Sequence, residues 1–199
     1  MPSTISVTSF HAASSESYSR LGEAHLLRLI HDGDRTAAEE MVDRTYSTIF
    51  ASLLKLSGDR DLAADLTQET YQRAWEAIGD FEGRSKITTW LYRIAYTTFL
   101  NHVRRPKRIA ALDEETSARF SDPRPPADEL LAQAEESNQL RKAILDLPED
   151  LQFTVTARFW GELPVREIAR IEKVTTVAIR KRLYKAFSIL EASIGGETP

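Results

Sequence analysis

The densest chemistry in this sequence is cationic. Residues 164–190 hold seven basic side chains (Arg166, Arg170, Lys173, Arg180, Lys181, Arg182, Lys185) against two acidic ones, Glu167 and Glu172. That segment carries a local charge of +5 within a chain whose 26 Lys and Arg against 30 Asp and Glu leave −4. Cations concentrated on one short segment bind phosphate. Arg180, Lys181, Tyr184 and Lys185 fall within about one and a half helical turns, so several of them face one groove together. Glu167-Ile168-Ala169, a turn near Lys173-Val174 and a basic second helix have the spacing of a helix-turn-helix. The second helix of that motif enters the major groove N-terminal end first. The same residues also suit a solvated basic helix packed by Val177, Ile179, Leu183, Ala186 and Phe187.

A second cationic patch, Arg104, Arg105, Lys107 and Arg108, follows Lys86, Arg93 and the aromatics Trp90, Tyr92 and Tyr96. Rings interleaved with cations bind single-stranded nucleic acid, because bases stack on rings while cations hold phosphates. The competing reading is ordinary core. Leu91, Tyr92 and Ile94 are expected to be buried, with Trp90, Arg93 and Tyr96 partly exposed. A third group, Asp61, Asp65, Glu69, Gln72 and Glu76, recurs every three or four residues along one helix face. It either meets a cationic partner or is a solvated face whose first acids favour the helix N-terminus.

Other chemistry is excluded cheaply. The chain has no cysteine, hence no disulfide, thiolate metal site or cysteine nucleophile. Its four His (His11, His25, His31, His102) lack metal-ligand spacing. Phosphate-binding glycine loops and nucleophile elbows are missing. No enzyme, cofactor or metal is expected. No apolar run approaches the ~18–20 residues that span a bilayer. Residues 1–19, rich in Ser and Thr, lack the pattern of a secretory signal and read as a weakly ordered tail.

The elements that must position these groups are helical, and the expected fold class is all-α. Leu26, Leu27, Leu29 and Ile30 form a short amphipathic turn ending at Gly33. A helix then starts at Asp34 or at Thr36, where Thr36 and Glu39 have capping-box spacing. Its apolar positions, Ala38 through Leu56, keep a helical period until Ser57-Gly58-Asp59. The next helix covers about 61–78, with Leu62, Leu66, Ala74, Trp75 and Ile78 on or near one face. Residues 79–84 form a loop. Ser85 is the expected N-cap of a helix from Lys86 to about Arg105 that Pro106 breaks. Acidic residues and Pro123, Pro125 and Pro126 mark a linker. Asp128 caps a further helix, Pro148 ends it, and an apolar segment over 151–160 precedes the helix-turn-helix.

These pieces resemble one family. Asp61-Leu62-Ala63-Ala64-Asp65-Leu66-Thr67-Gln68-Glu69-Thr70-Tyr71, Arg73-Ala74-Trp75, Phe81-Glu82-Gly83 and Thr89-Trp90-Leu91-Tyr92-Arg93-Ile94-Ala95 resemble region two of bacterial sigma factors. Leu147-Pro148, Glu167-Ile168-Ala169 and Arg180-Lys181-Arg182-Leu183 resemble region four. The short layout is similar to the extracytoplasmic-function type. The resemblance implies a tail over 1–23, a region-two helical bundle over 24–106, a flexible linker over 107–127 and a region-four helix-turn-helix domain over 128–194.

It also implies a function: binding core RNA polymerase, directing it to specific promoters and helping to melt them, in the cytoplasm and on the nucleoid. Asp61, Asp65, Leu66, Gln68 and Glu69 would dock on the polymerase. The loop 81–86, with Phe81, would capture a flipped base of the minus-ten element, at an unstacking cost of a few kcal/mol offset by pocket contacts. Lys86, Trp90, Arg93, Tyr96, Asn101, Arg104 and Arg105 would hold the melted non-template strand. Thr175, Thr176, Arg180, Lys181, Tyr184 and Lys185 would read duplex minus-thirty-five DNA. The linker would thread into the polymerase, and an anti-sigma factor is an expected partner. No membrane insertion is implied.

Two departures stand out. Glu172-Lys173 replaces the Leu-Gly usual in the turn, and Lys173 enters a left-handed conformation only at a cost. Val177-Ala178-Ile179 replaces a common Gly-Thr-Val. A stand-alone operator-binding dimer and a carboxylate-dependent nucleic-acid enzyme are the competing functional classes.

Overall fold

In the computed structural model, residues 18–110 and 128–194 are described, with side chains for 18–104 and 135–194. Eight α-helices run in order: α1 (Glu23–His31), α2 (Arg35–Ser57), α3 (Arg60–Ala77), α4 (Ile87–Ala110), α5 (Asp128–Leu145), α6 (Glu149–Phe159), α7 (Val165–Ile171) and α8 (Thr176–Ile194). A 3₁₀ turn, Ile78–Asp80, follows α3. The described residues contain no strand. The expected linker residues 111–127 and tail residues 1–17 lie outside the described residues.

Side-chain caps set most of the early boundaries. Asp34 caps α2 by accepting from the Ala37 N–H at 3.1 Å, so the start is Asp34 and the Thr36 capping box is not used. Gly58 ends α2 at φ 73°, which glycine adopts without the Cβ penalty. Asp59 then caps α3, accepting from the N–H groups of Asp61 (2.8 Å) and Leu62 (3.0 Å). The end of the expected tail is tied down: the Tyr18 hydroxyl donates to Asp34 at 2.6 Å, and Arg44 donates to the Tyr18 and Leu21 carbonyls.

Two local expectations are corrected. Ser85 does not cap α4. The Ile87 N–H instead donates to the Glu23 carboxylate, 2.5 Å away and on α1. Pro106 does not break α4 either, which continues to Ala110. The ring holds φ near the helical value, so proline removes one N–H and crowds the preceding turn without forcing the chain out of the helix.

Leu26, Ile49, Leu53, Leu56 and Leu66 are fully buried where α1, α2 and α3 meet. Burial of each such side chain contributes ~1.5–3 kcal/mol. Leu91, Ala95 and Phe99 add the inner face of α4. The same apolar cluster continues through Phe153, Ala157, Leu163, Ile168 and Ile179, so α6, α7 and α8 pack onto the first half. A smaller cluster, Ile144, Leu147, Leu151, Val155, Ala186 and Leu190, joins α5, α6 and α8. Close approaches fix the contact between halves. The Ser52 hydroxyl donates to the Trp160 carbonyl at 3.2 Å, and the Arg141 guanidinium donates to the Lys55 carbonyl at 3.0 Å. At Gly161, a Cβ would lie 2.5 Å from the buried Tyr92 ring.

Candidate nucleic-acid interface

The α8 face is the simpler of the two cationic surfaces. The α7–α8 turn places Lys173 at φ 54°, the left-handed conformation expected at this position to carry a cost. The Thr175 hydroxyl accepts from the Ala178 N–H at 3.1 Å and so caps α8. Thr175 is exposed and Thr176 half-buried at this terminus. Arg180, Lys181, Tyr184 and Lys185 are all exposed, Tyr184 at 77%. Ile179, Ala186 and Leu190 turn inward and hold the helix. Val177 and Phe187, expected to pack inward with them, are instead 55% and 43% exposed. Arg182 faces away from the stripe, towards Asp150 and Glu172, each at 3.3 Å.

Along α4, Arg93, Thr97, Asn101 and Arg104 recur at helical spacing and are exposed. Lys86 is exposed just before the helix, and Arg105 follows on it. Trp90 is half-buried, its ring centroid 4.8 Å from that of Phe81. Phe81 itself is buried, so the ring packs the base of the 81–86 loop and does not stand in solvent. Tyr96 also departs from expectation. It is 3% exposed, its hydroxyl donates to the Gln152 side-chain carbonyl at 2.7 Å, and its ring meets Phe153 edge-on at 4.9 Å. Burial, and next the Glu149 carboxylate, push its phenol well above the ordinary value, so it stays a neutral donor.

Both cations of this stripe are engaged across the halves. Arg93 pairs with Glu172 and lies over the Phe153 ring, 4.8 Å from its centroid. Arg104 donates to Glu149 at 3.0 Å. A cleft of about 420 Å³ remains between them, lined in part by Asn101, Asp150 and Phe153. Nothing in local periodicity could reveal these partners, which lie 45 to 79 residues away in sequence.

On α3, Asp61, Asp65 and Gln68 are exposed and Glu69 is half-buried in a 2.6 Å pair with Arg73. Leu66 is 1% exposed, so it supports this face from beneath and cannot touch a partner directly. An apolar groove of about 210 Å³, missed by sequence reasoning, opens beside the same helix between Met41, Val42, Tyr71, Trp75 and Trp90. Trp75, placed by periodicity on or near the inner face, is 57% exposed there. Tyr71 borders the groove; its hydroxyl lies 2.7 Å from that of Thr45, and burial pushes its phenol up to about 12.

The sequence matches the family described as Sigma-70 region 2 over residues 41–109. It is 30% identical over 188 residues to the ECF RNA polymerase sigma-E factor of Haemophilus influenzae, covering 88% of this chain and 96% of that one. It is 31% identical over 188 residues to the sigma-E factor of Escherichia coli, with 88% and 95% covered. Among solved structures, the fold is similar to that of Bartonella quintana RpoE in complex with the anti-sigma factor NepR. That match has a TM-score of 0.58 and 20% identity, covering 80% of this chain and 98% of that chain. It is also similar to CnrH in complex with the cytosolic domain of CnrY, at a TM-score of 0.60 and 17% identity, covering 88% and 99%.

Proposed function

This chain belongs to the ECF RNA polymerase sigma factors, and from that premise we propose that it binds core RNA polymerase, directs it to specific promoters and promotes their melting. The observation that carries this reading is a relationship running through both halves at once, 188 residues at 30% identity. The division into a region-two bundle over 24–106 and a region-four domain over 128–194 is part of the proposal.

The acidic face of α3, Asp61, Asp65, Gln68 and Glu69, docks on polymerase, with Leu66 holding its backbone in place. The 81–86 loop and the α4 residues Lys86, Trp90, Arg93, Asn101, Arg104 and Arg105 engage the melted minus-ten strand. Phe81 and Tyr96 act there as supports, because their rings are buried. Thr175, Thr176, Arg180, Lys181, Tyr184 and Lys185 read the minus-thirty-five duplex, with the capping hydroxyl and helix N-terminus suited to a phosphate.

The work is binding, not catalysis by this chain, and it takes place in the cytoplasm on the nucleoid. No helix among the described residues is long and apolar enough to cross a membrane. The Bartonella neighbour was solved with an anti-sigma factor, and a protein of that kind restrains this chain as well. In vitro transcription with purified core polymerase on promoters of the native host tests the reading. Core plus this protein is expected to initiate where core alone does not. A protein that never raises initiation above core alone on any genomic promoter refutes it.

A further inference from the structure

Val177 occupies the second position of α8 and is 55% exposed. A lone exposed valine is ordinary on a protein surface. Its place on this helix is not. At about 100° per residue, Val177 stands opposite the buried Ala186 and about 160° from Ile179, two of the side chains that anchor α8. Arg180, Lys181 and Tyr184 follow it at i+3, i+4 and i+7, and all three are exposed. Val177 is thus the N-terminal member of the same outward row. Of these four side chains it alone carries no polar atom, and it belongs to neither apolar cluster of the fold.

Its position is also well fixed. The Thr175 hydroxyl accepts from the Ala178 N–H at 3.1 Å and closes the first turn around Val177. Inside a helix a β-branched side chain keeps one strongly preferred χ1 rotamer, so Val177 presents its methyl groups in one direction at little entropic cost. Helical neighbours at i+3 and i+4 have Cβ atoms ~5–6 Å apart. That is under two base-pair steps at ~3.4 Å each, so Val177, Arg180 and Lys181 address adjoining base pairs. In the major groove, guanine, adenine and cytosine display donors and acceptors, and thymine adds a methyl group. An aliphatic side chain gains from that methyl group by removing water from two apolar surfaces.

We propose that Val177 is a specificity residue, packing against the 5-methyl group of one thymine in the duplex element that α8 reads. This rests on the reading of α8 as the duplex-reading helix. Arg180 and Lys181 supply charged contacts beside it, and Val177 adds the choice of an A·T pair in one orientation. The glycine common at this place in the family pattern has no side chain to reach the groove, so the preference comes with the substitution. Being apolar, the contact keeps its size as salt is raised, whereas contacts to phosphate weaken.

The test uses holoenzyme formed from core polymerase and the full chain, bound to promoter DNA of the native host. Each thymine of the minus-thirty-five segment is replaced in turn by deoxyuridine, which removes the methyl group and leaves every hydrogen bond in place. One position is expected to weaken binding about three- to fivefold, the effect of a single buried methyl group. Val177→Ala is expected to bind the thymine and deoxyuridine forms of that site equally, and Val177→Ile to retain the discrimination. Because the side chain is exposed, the unfolding midpoint of Val177→Ala is expected to match that of the unaltered chain. A lowered midpoint would make Val177 a packing residue and overturn the proposal. Indifference of the unaltered holoenzyme to every deoxyuridine overturns it, as does a Val177→Ala protein that keeps the discrimination. A holoenzyme that initiates at no promoter rejects the functional reading beneath it, and the proposal with it.

Discussion

The two cationic helices, α4 and α8, look alike as strings of residues and differ in their surroundings. On α8 the stripe Arg180, Lys181, Tyr184, Lys185 lies wholly in solvent, and the helix beneath is anchored by Ile179, Ala186 and Leu190. On α4 the corresponding cations meet carboxylates, and the aromatic between them is buried against Phe153. One stripe is open to solvent as it stands. The other is held in ion pairs with Glu172 and Glu149.

The contrast can be broken most forcefully at Phe153, which belongs to the core and touches α4. Phe153→Ala is expected to cost ~3–5 kcal/mol in urea unfolding. A loss below about 1 kcal/mol would mean that the halves do not share a core. Tyr96→Phe removes a hydroxyl and leaves the buried Gln152 carbonyl without its donor, at a cost of ~1–3 kcal/mol in the same assay. An unchanged midpoint would place Tyr96 in solvent, as on α8. On the proposal that Arg180 reads a base edge, Arg180→Ala is expected to lose ~1–3 kcal/mol of promoter binding and to relax a single promoter position. A uniform loss across a promoter library would make it a phosphate contact instead. Lys173→Gly relieves the left-handed backbone and is expected to stabilise the chain by ~1 kcal/mol, read from the unfolding midpoint. Lys185→Ala should be mildest, weakening binding on all sequences and lowering the salt slope by about one. An unaltered slope would remove Lys185 from the phosphate contacts.

Legibility followed the same division. The α2–α3 boundary and the exposed α8 stripe depend on residues within a few positions of one another, and Gly58, Asp59 and the α8 spacing announce them. The start of α4 depends on Glu23, 64 positions away, so Ser85 was a reasonable but wrong local candidate for its cap. Tyr96 reads as amphipathic in any window, since the face it occupies is apolar only because Phe153 arrives there. Leu66 shows the opposite error: the resemblance sets it on the polymerase face, whereas the helical period places it with the inner residues, beside buried Ala63, Thr67 and Thr70. Trp75 obeys the helical period and is nonetheless exposed, because no neighbour closes the groove beside it.

Gly161 gives the contact between halves a particular evolutionary footing. A Cβ at this position would stand 2.5 Å from the buried Tyr92 ring, so a larger residue forces something to shift. The ring is buried and cannot swing away without disturbing its neighbours. A single methyl group therefore acts as a wedge. A one-codon change at position 161 acts on the packing of the two halves through Tyr92, which neighbours Arg93 on α4.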